Sequence, residues 1–175
     1  MKKRGYRTEE DSLGKKKISA SAYFGIQTQR ALEHFTISGL HLQLSIIHAI
    51  AVIKKAATSA NMTEKRLDAR KGKAILAACN DILKGKLDDQ FKIDVFQAGA
   101  GTSEHMNVNE VIANRALEIL GKKKGAYQFL HPHDDVNLGQ STNDVFHSAI
   151  NMAAYEELFS QLIPSLDALE KELRK

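Results

Sequence analysis

The chain has 175 residues, 25 of them basic and 21 acidic, for a formal net charge of +4. That length suits one ordinary domain and buries a core without disulfides or a structural metal, and a single cysteine, Cys79, excludes a disulfide framework. The basic excess slightly favours anionic ligands but is too small and dispersed for nucleic-acid binding. The two basic triplets, Lys15-Lys16-Lys17 and Lys122-Lys123-Lys124, lack interleaved aromatics and read as solvated turns.

The opening Met1-Lys2-Lys3-Arg4-Gly5-Tyr6 is basic but leads into Glu9-Glu10-Asp11 and not into an apolar core. No segment approaches membrane-spanning length, so a soluble cytoplasmic protein with no membrane partner is expected. Weak alternation at Lys17-Ile18-Ser19-Ala20 predicts a short strand or hairpin. Residues 22–35 have a helical pattern closing near Gly39, and Leu42, Ile46, Ile47, Ile50 and Ile53 recur at helical spacing in a second segment. Thr63 is placed to cap a third helix with the stripe Leu67, Ile75, Ala78, Ile82 and Leu83. Gly85 is its stop, and Gly72 is tolerated within it. Cys79 ends the apolar run Ile75-Leu76-Ala77-Ala78-Cys79 and reads as a packed thiol in a reducing compartment.

Alternation of Phe91, Ile93 and Val95 with Lys92 and Asp94 predicts a short extended piece that ends at the turn Ala98-Gly99-Ala100-Gly101. A helix follows, with Val108, Val111, Ile112, Ala116, Ile119 and Leu120 as its buried stripe and Gly121 as its terminator. After a loop containing Pro132, the last long helix opens near Ser141 and pauses at Pro164. It then runs through Leu166, Leu169 and Leu173 without a stop signal, as though cut mid-element. With no internal repeat or low-complexity linker, the pattern is mainly α with minor strand. His34, His41 and His48 read as surface or interface positions.

Two loop-to-helix junctions stand out: Gly99-Ala100-Gly101-Thr102-Ser103 and Leu138-Gly139-Gln140-Ser141-Thr142-Asn143. A helix start presents unpaired backbone N–H groups and the positive end of the dipole, and glycine permits close approach. Neutral donors on Thr102, Ser103, Ser141, Thr142 and Asn143 suit carboxylate oxygens held without a bulky cation, so two such sites could hold two carboxylates. Taken singly, either junction is explained by capping alone, and Ser141 with Asp144 resembles a capping box.

The longer wording resolves this. Gly99-Ala100-Gly101-Thr102-Ser103, then Met106-Asn107-Val108-Asn109-Glu110-Val111, then Gln140-Ser141-Thr142-Asn143-Asp144 resembles the aspartase/fumarase superfamily. Similarity extends through Glu10-Asp11, Leu13-Gly14, Tyr23-Phe24-Gly25, Gln27-Thr28-Gln29-Arg30-Ala31 and Gly85-Lys86-Leu87-Asp88-Asp89-Gln90-Phe91. The resemblance implies an amino-terminal helical domain with a short β hairpin over residues 1–139, leading into the first helix of a central helical bundle over 140–175. It implies that Thr102 and Ser103 lie in a substrate-binding segment. Ser141, Thr142 and Asn143 would hydrogen-bond the carboxylate or amino groups of a four-carbon dicarboxylate. It also makes His131, His133 and Asp134 part of a secondary anion site, although Pro132-His133-Asp134-Asp135 stands where relatives usually read Pro-Asn-Asp-His. His105 and His147 are further departures, at places more often held by asparagine and proline. His105 reads as a polar neighbour tolerated by its helix. No metal or organic cofactor is implied, and the intact assembly would be a homotetramer.

The choice of reaction is finer. Ile93-Asp94-Val95-Phe96-Gln97-Ala98-Gly99-Ala100-Gly101-Thr102-Ser103 and Lys124-Gly125-Ala126-Tyr127-Gln128-Phe129 resemble aspartases. Ile47-His48-Ala49, Gly85-Lys86-Leu87-Asp88-Asp89 and Asn109-Glu110-Val111-Ile112-Ala113-Asn114-Arg115-Ala116 resemble fumarases. Weighting the strings nearest the site favours aspartate ammonia-lyase, with class II fumarate hydratase as the alternative and a non-catalytic dicarboxylate- or partner-binding module as a third reading. The family's catalytic serine sits on a Gly-Ser-Ser loop, and no such string occurs here. The expectation is an amino-terminal fragment with no catalytic residue of its own, inactive in isolation.

Overall fold

The alternation around Ile18 becomes one arm of an antiparallel hairpin, β1 (Tyr6–Asp11) paired with β2 (Gly14–Ser19), with Tyr6 opposite Ser19 and Asp11 opposite Gly14. This is seen in a computed structural model that describes residues 5–175. Among the described residues six α-helices follow: α1 (Ile26–His34), α2 (Leu44–Thr63), α3 (Ala69–Leu83), α4 (Thr102–Ile119), α5 (Thr142–Glu157) and α6 (Ile163–Leu173). The protein is mainly α with one two-stranded hairpin. Among the described residues no helix is long and apolar enough to cross a membrane.

Lys15, Lys16 and Lys17 lie within β2 and not in a turn, and Lys16 pairs with Glu33 of α1. The other triplet ends with Lys124, whose Nζ stands 3.7 Å over the Tyr23 ring and donates to the Ser21 carbonyl. Helix α1 begins later than its pattern suggests because the preceding backbone is engaged elsewhere. The carbonyls of Ala22 and Phe24 accept from the Arg7 guanidinium, and Tyr23 N–H donates to Gln90.

Helix α2 packs on α3 and α5, and α3 packs on α4. Ile47, Ile50, Ile75, Ile82, Val108, Val111, Ile112 and Leu117 form the centre of this core, where apolar burial stabilises the fold by about 1.5–3 kcal/mol per large aliphatic side chain. Cys79 is fully buried in it, and burial pushes its thiol up to about 12. Thr63 does not cap α3. It closes α2, donating to the Ser59 carbonyl, and the chain reverses at Lys65 with φ 56°. Asp68 is the cap, its carboxylate accepting from Arg70 and Lys71 N–H at 2.9 and 3.0 Å. Gly85 does adopt the positive φ of a helix stop.

The alternation over residues 91–96 reflects burial more than pairing. Phe91 and Ile93 enter the core, and a single bridge joins His41 to Asp94. Asp94 folds the α1–α2 connection around itself, accepting from the N–H groups of Ile37, Ser38, Gly39 and Phe96 and from the Ser38 hydroxyl. Desolvation raises its pKa, but these donors hold the carboxyl well below the usual range.

Helix α4 is the central pillar. Val108, Val111, Ile112 and Ala116 of its stripe are buried as expected, but at its end Ile119 is 41% exposed and Leu120 only partly buried. Beyond α5 a widened π turn, Leu158–Leu162, precedes Pro164. Helix α6 then buries no residue, leaving Leu166, Leu169 and Leu173 uncovered.

Candidate active-site cleft

At the first junction, Gly99–Gly101 forms a tight 3-10 turn in which Ala100 (φ 58°) and Gly101 (φ 75°) are both left-handed. Gly101 is the N-cap of α4, and a Cβ there would strike the Phe146 ring, so glycine is what lets α5 lie across the start of α4. Thr102 donates its hydroxyl to the Gly99 carbonyl at 3.0 Å, and Ser103 N–H donates to Gln97 Oε1 at 2.9 Å. At the second junction, Asn137 Nδ2 donates to the Gln140 carbonyl at 3.1 Å. Gln140 Nε2 donates to the carbonyls of Val136 and Leu138. Ser141 caps α5 by accepting from Asn143 N–H at 3.3 Å. No return bond from the Asp144 side chain completes a capping box among the described residues.

The two helix starts, far apart in sequence, face one cleft of about 480 Å³. Thr102, Ser103, Ser141 and Thr142 all line it, joined by Gln27, His105, Asn109, Asn137 and Gln140. Asn143 is exposed and lies outside this lining. Of the three residues expected at a secondary anion site, His133 reaches the cleft while His131 and Asp134 do not. His131 instead caps the π turn Pro132–Val136, its Nδ1 accepting from the N–H groups of His133 and Asp134, both at 3.2 Å. Asp134 pairs with His133 at 2.9 Å, and that bond lowers its pKa. A larger hollow of about 960 Å³ between α2 and α5 contains neither junction.

Beneath the cleft lies a buried basic pair that sequence reading missed. Lys54 is fully buried, donates to Asn137 Oδ1 at 2.7 Å, and is pushed down to about 7 by desolvation. Its signal was its spacing, since Ile47, Ile50 and Lys54 share one face of α2 and place a lysine on the buried stripe. His105, only 1% exposed, bonds Thr142 Oγ1 through Nδ1 at 2.7 Å. Burial, and secondarily the Lys54 charge, push it down to about 3, so the imidazole is neutral at physiological pH. Its tie to α5 explains its place in the helix better than mere tolerance does. Its neighbour Glu104 is buried with neither carboxylate oxygen hydrogen-bonded among the described residues, and desolvation pushes it up to about 8. Glu104 faces a separate recess of about 320 Å³ behind the glycine turn.

Among the described residues no group of three or more His, Cys, Asp and Glu is arranged to hold a metal ion. Two helix starts, a set of hydroxyl and amide donors and a buried lysine make the cleft chemically suited to a small anion. The chain belongs to the lyase family, whose model matches residues 14–175, and within it to the aspartase/fumarase superfamily. It is 48% identical over 168 residues to a class II fumarate hydratase of Halobacterium salinarum, covering 96% of this chain and 36% of that protein. It is 49% identical over 170 residues to an aspartate ammonia-lyase of Bacillus subtilis, covering 97% and 36%. Among solved structures, a fumarate lyase:delta crystallin from Brucella melitensis superimposes with TM-score 0.83 at 54% identity, covering 85% of this chain and 35% of that one. A class II fumarase from Schistosoma mansoni gives 0.87 at 36%, covering 93% and 34%. The chain thus spans little more than a third of the length of these relatives.

Proposed function

We propose that the cleft holds the carboxylates of a four-carbon dicarboxylate in an aspartase/fumarase-type lyase, and that the reaction is loss of ammonia from aspartate to give fumarate. The observation that carries the reading is the convergence of Thr102, Ser103, Ser141 and Thr142 on one cleft. Elimination removes a proton from the carbon beside a carboxylate and builds an enolate-like dianion before the amine leaves. Fixed hydroxyl and N–H donors favour that charge without needing to reorganise. The part of this chain in the reaction is to hold and polarise. The proton-abstracting serine implied by the superfamily resemblance belongs to a string this chain does not contain.

Ammonia loss is favoured over water loss by the junction Gly99-Ala100-Gly101-Thr102-Ser103, which has the aspartase wording and sets two adjacent hydroxyls at one helix start. Water elimination from malate is the second reading, supported by the several relatives named class II fumarate hydratase at 44–48% identity. An uncovered apolar row on the π turn and α6, including Phe159, Leu162, Leu166 and Leu169, supports assembly with further copies in a homotetramer. The test is fumarate formation by the complete gene product from aspartate and from malate. A larger kcat/KM for aspartate is expected, and a larger value for malate overturns the choice. Dicarboxylate binding without turnover of either substrate rejects the lyase reading.

A further inference from the structure

His105 joins the two junctions directly. Its ring, on the first turn of α4, meets Thr142 at the first position of α5, with Nδ1 and Oγ1 2.7 Å apart, and both residues line the cleft. This is the Thr142 side chain's one hydrogen bond among the described residues. The other ring nitrogen, Nε2, is buried without a partner among the described residues. Resting on the dicarboxylate reading above, we propose that His105 is a positioning residue: its Nδ1–H donates to Thr142 Oγ1 and thereby turns the Thr142 hydroxyl proton into the cleft, toward a substrate carboxylate.

The assignment of the proton follows from the surroundings. A neutral imidazole carries one N–H, and the ring is neutral because it is buried near Lys54. A buried N–H without an acceptor is rarer and costlier than a buried acceptor without a donor. The proton therefore sits on Nδ1, where Thr142 Oγ1 accepts it. The oxygen so occupied directs its own O–H elsewhere, and the open side is the cleft. In the alternative tautomer Thr142 would donate to the ring and present only lone pairs, which repel a carboxylate. His105 thus sets the polarity of a side chain that touches substrate.

The experiment uses the complete gene product, with succinate as a non-reacting probe and turnover measured beside it. His105→Ala and Thr142→Val should each weaken succinate binding and raise KM about tenfold, with kcat changed less. The double variant should be no weaker than either single one, because one acts through the other. His105→Asn keeps an N–H donor near the position of Nδ1 and should restore binding close to that of the parent, which also controls for a folding defect in the alanine variant. In the parent protein, 15N spectra of the ring should show the neutral Nδ1–H tautomer. Additive losses, unchanged succinate affinity in His105→Ala, or an Nε2–H ring overturns the proposal while leaving the dicarboxylate reading intact. Failure of the parent to bind succinate sinks both.

Discussion

Glu110 Oε2 lies 2.7 Å from the Thr28 hydroxyl, tying the middle of α4 to the first turn of α1. The same carboxylate accepts from the backbone N–H groups of Gly25, Gln27 and Thr28, so a buried side chain from 82–85 residues away caps α1 in place of a local residue. Gly25 is required by this approach, since a Cβ there would stand 2.7 Å from Glu110 Oε1. Burial raises the Glu110 pKa, and the Thr28, Gln27 and Gly25 bonds oppose that rise. Glu110→Ala removes the acceptor of four donors, three of them in the interior, and the expected loss is about 3 kcal/mol or more. Glu110→Gln keeps one acceptor and should lose less. Urea midpoints decide, and a midpoint within about 0.5 kcal/mol of the parent for Glu110→Ala would show the network to be dispensable.

What the sequence made legible was local. Glycine followed by hydroxyl residues marks a helix start, and the positions of Thr102, Ser103, Ser141 and Thr142 followed from that chemistry. Legibility failed where partners are distant: Glu110 with Thr28, His105 with Thr142, and Asp94 with Ser38 are pairings no window of the chain displays. The misplaced cap at Thr63 has another cause. Thr63 and Asp68 are both good capping types, and with no breaker before Lys65, α2 runs on through Thr63 and leaves Asp68 as the cap. Residues 91–96 alternate because one face meets the core, which looks the same in sequence as a paired strand.

Glu104 gives stability a pH dependence with a definite sign. Its ordinary pKa of 4.5 is pushed up to about 8 in the folded state, by desolvation alone. Between those values the unfolded chain loses the proton while the folded chain keeps it. This contribution to stability therefore falls as pH rises from about 4.5 to about 8, and is flat above. Glu104→Gln, which cannot ionise, should match the parent near pH 5 and exceed it on the order of a few kcal/mol near pH 9. Chemical denaturation at the two pH values measures this, and equal differences at both would show that Glu104 ionises normally.

Gly101 faces two demands at once, a φ of 75° and contact with the Phe146 ring. Gly101→Ala should cost about 2–4 kcal/mol, from left-handed strain and from overpacking against the ring. Trimming the ring in Gly101→Ala/Phe146→Leu should recover the packing share only. If the loss in the double variant equals or exceeds the sum of the two single losses, the ring is not what excludes a side chain at this position.

The substrate-holding role separates from these structural ones through kinetics. Thr102 is exposed at the start of α4 and Ser141 at the start of α5, and among the described residues their hydroxyls bond the Gly99 carbonyl and Asn143 N–H respectively. Neither supports the core. Thr102→Ala should leave the urea midpoint nearly unchanged, whereas Ser141→Ala also removes a cap and should lose about 1 kcal/mol. If each hydroxyl holds a substrate carboxylate, each variant of the complete gene product should lose about tenfold to a hundredfold in kcat/KM, the usual scale for a hydrogen bond to a charged group. A contact kept equally in ground and transition states would raise KM alone, while one strengthened as the enolate charge develops would lower kcat as well. The hydroxyl nearer the carboxylate that gains charge should therefore show the larger fall in kcat. Parental kcat/KM in both variants would remove Thr102 and Ser141 from the site and leave the two hydroxyls as helix caps.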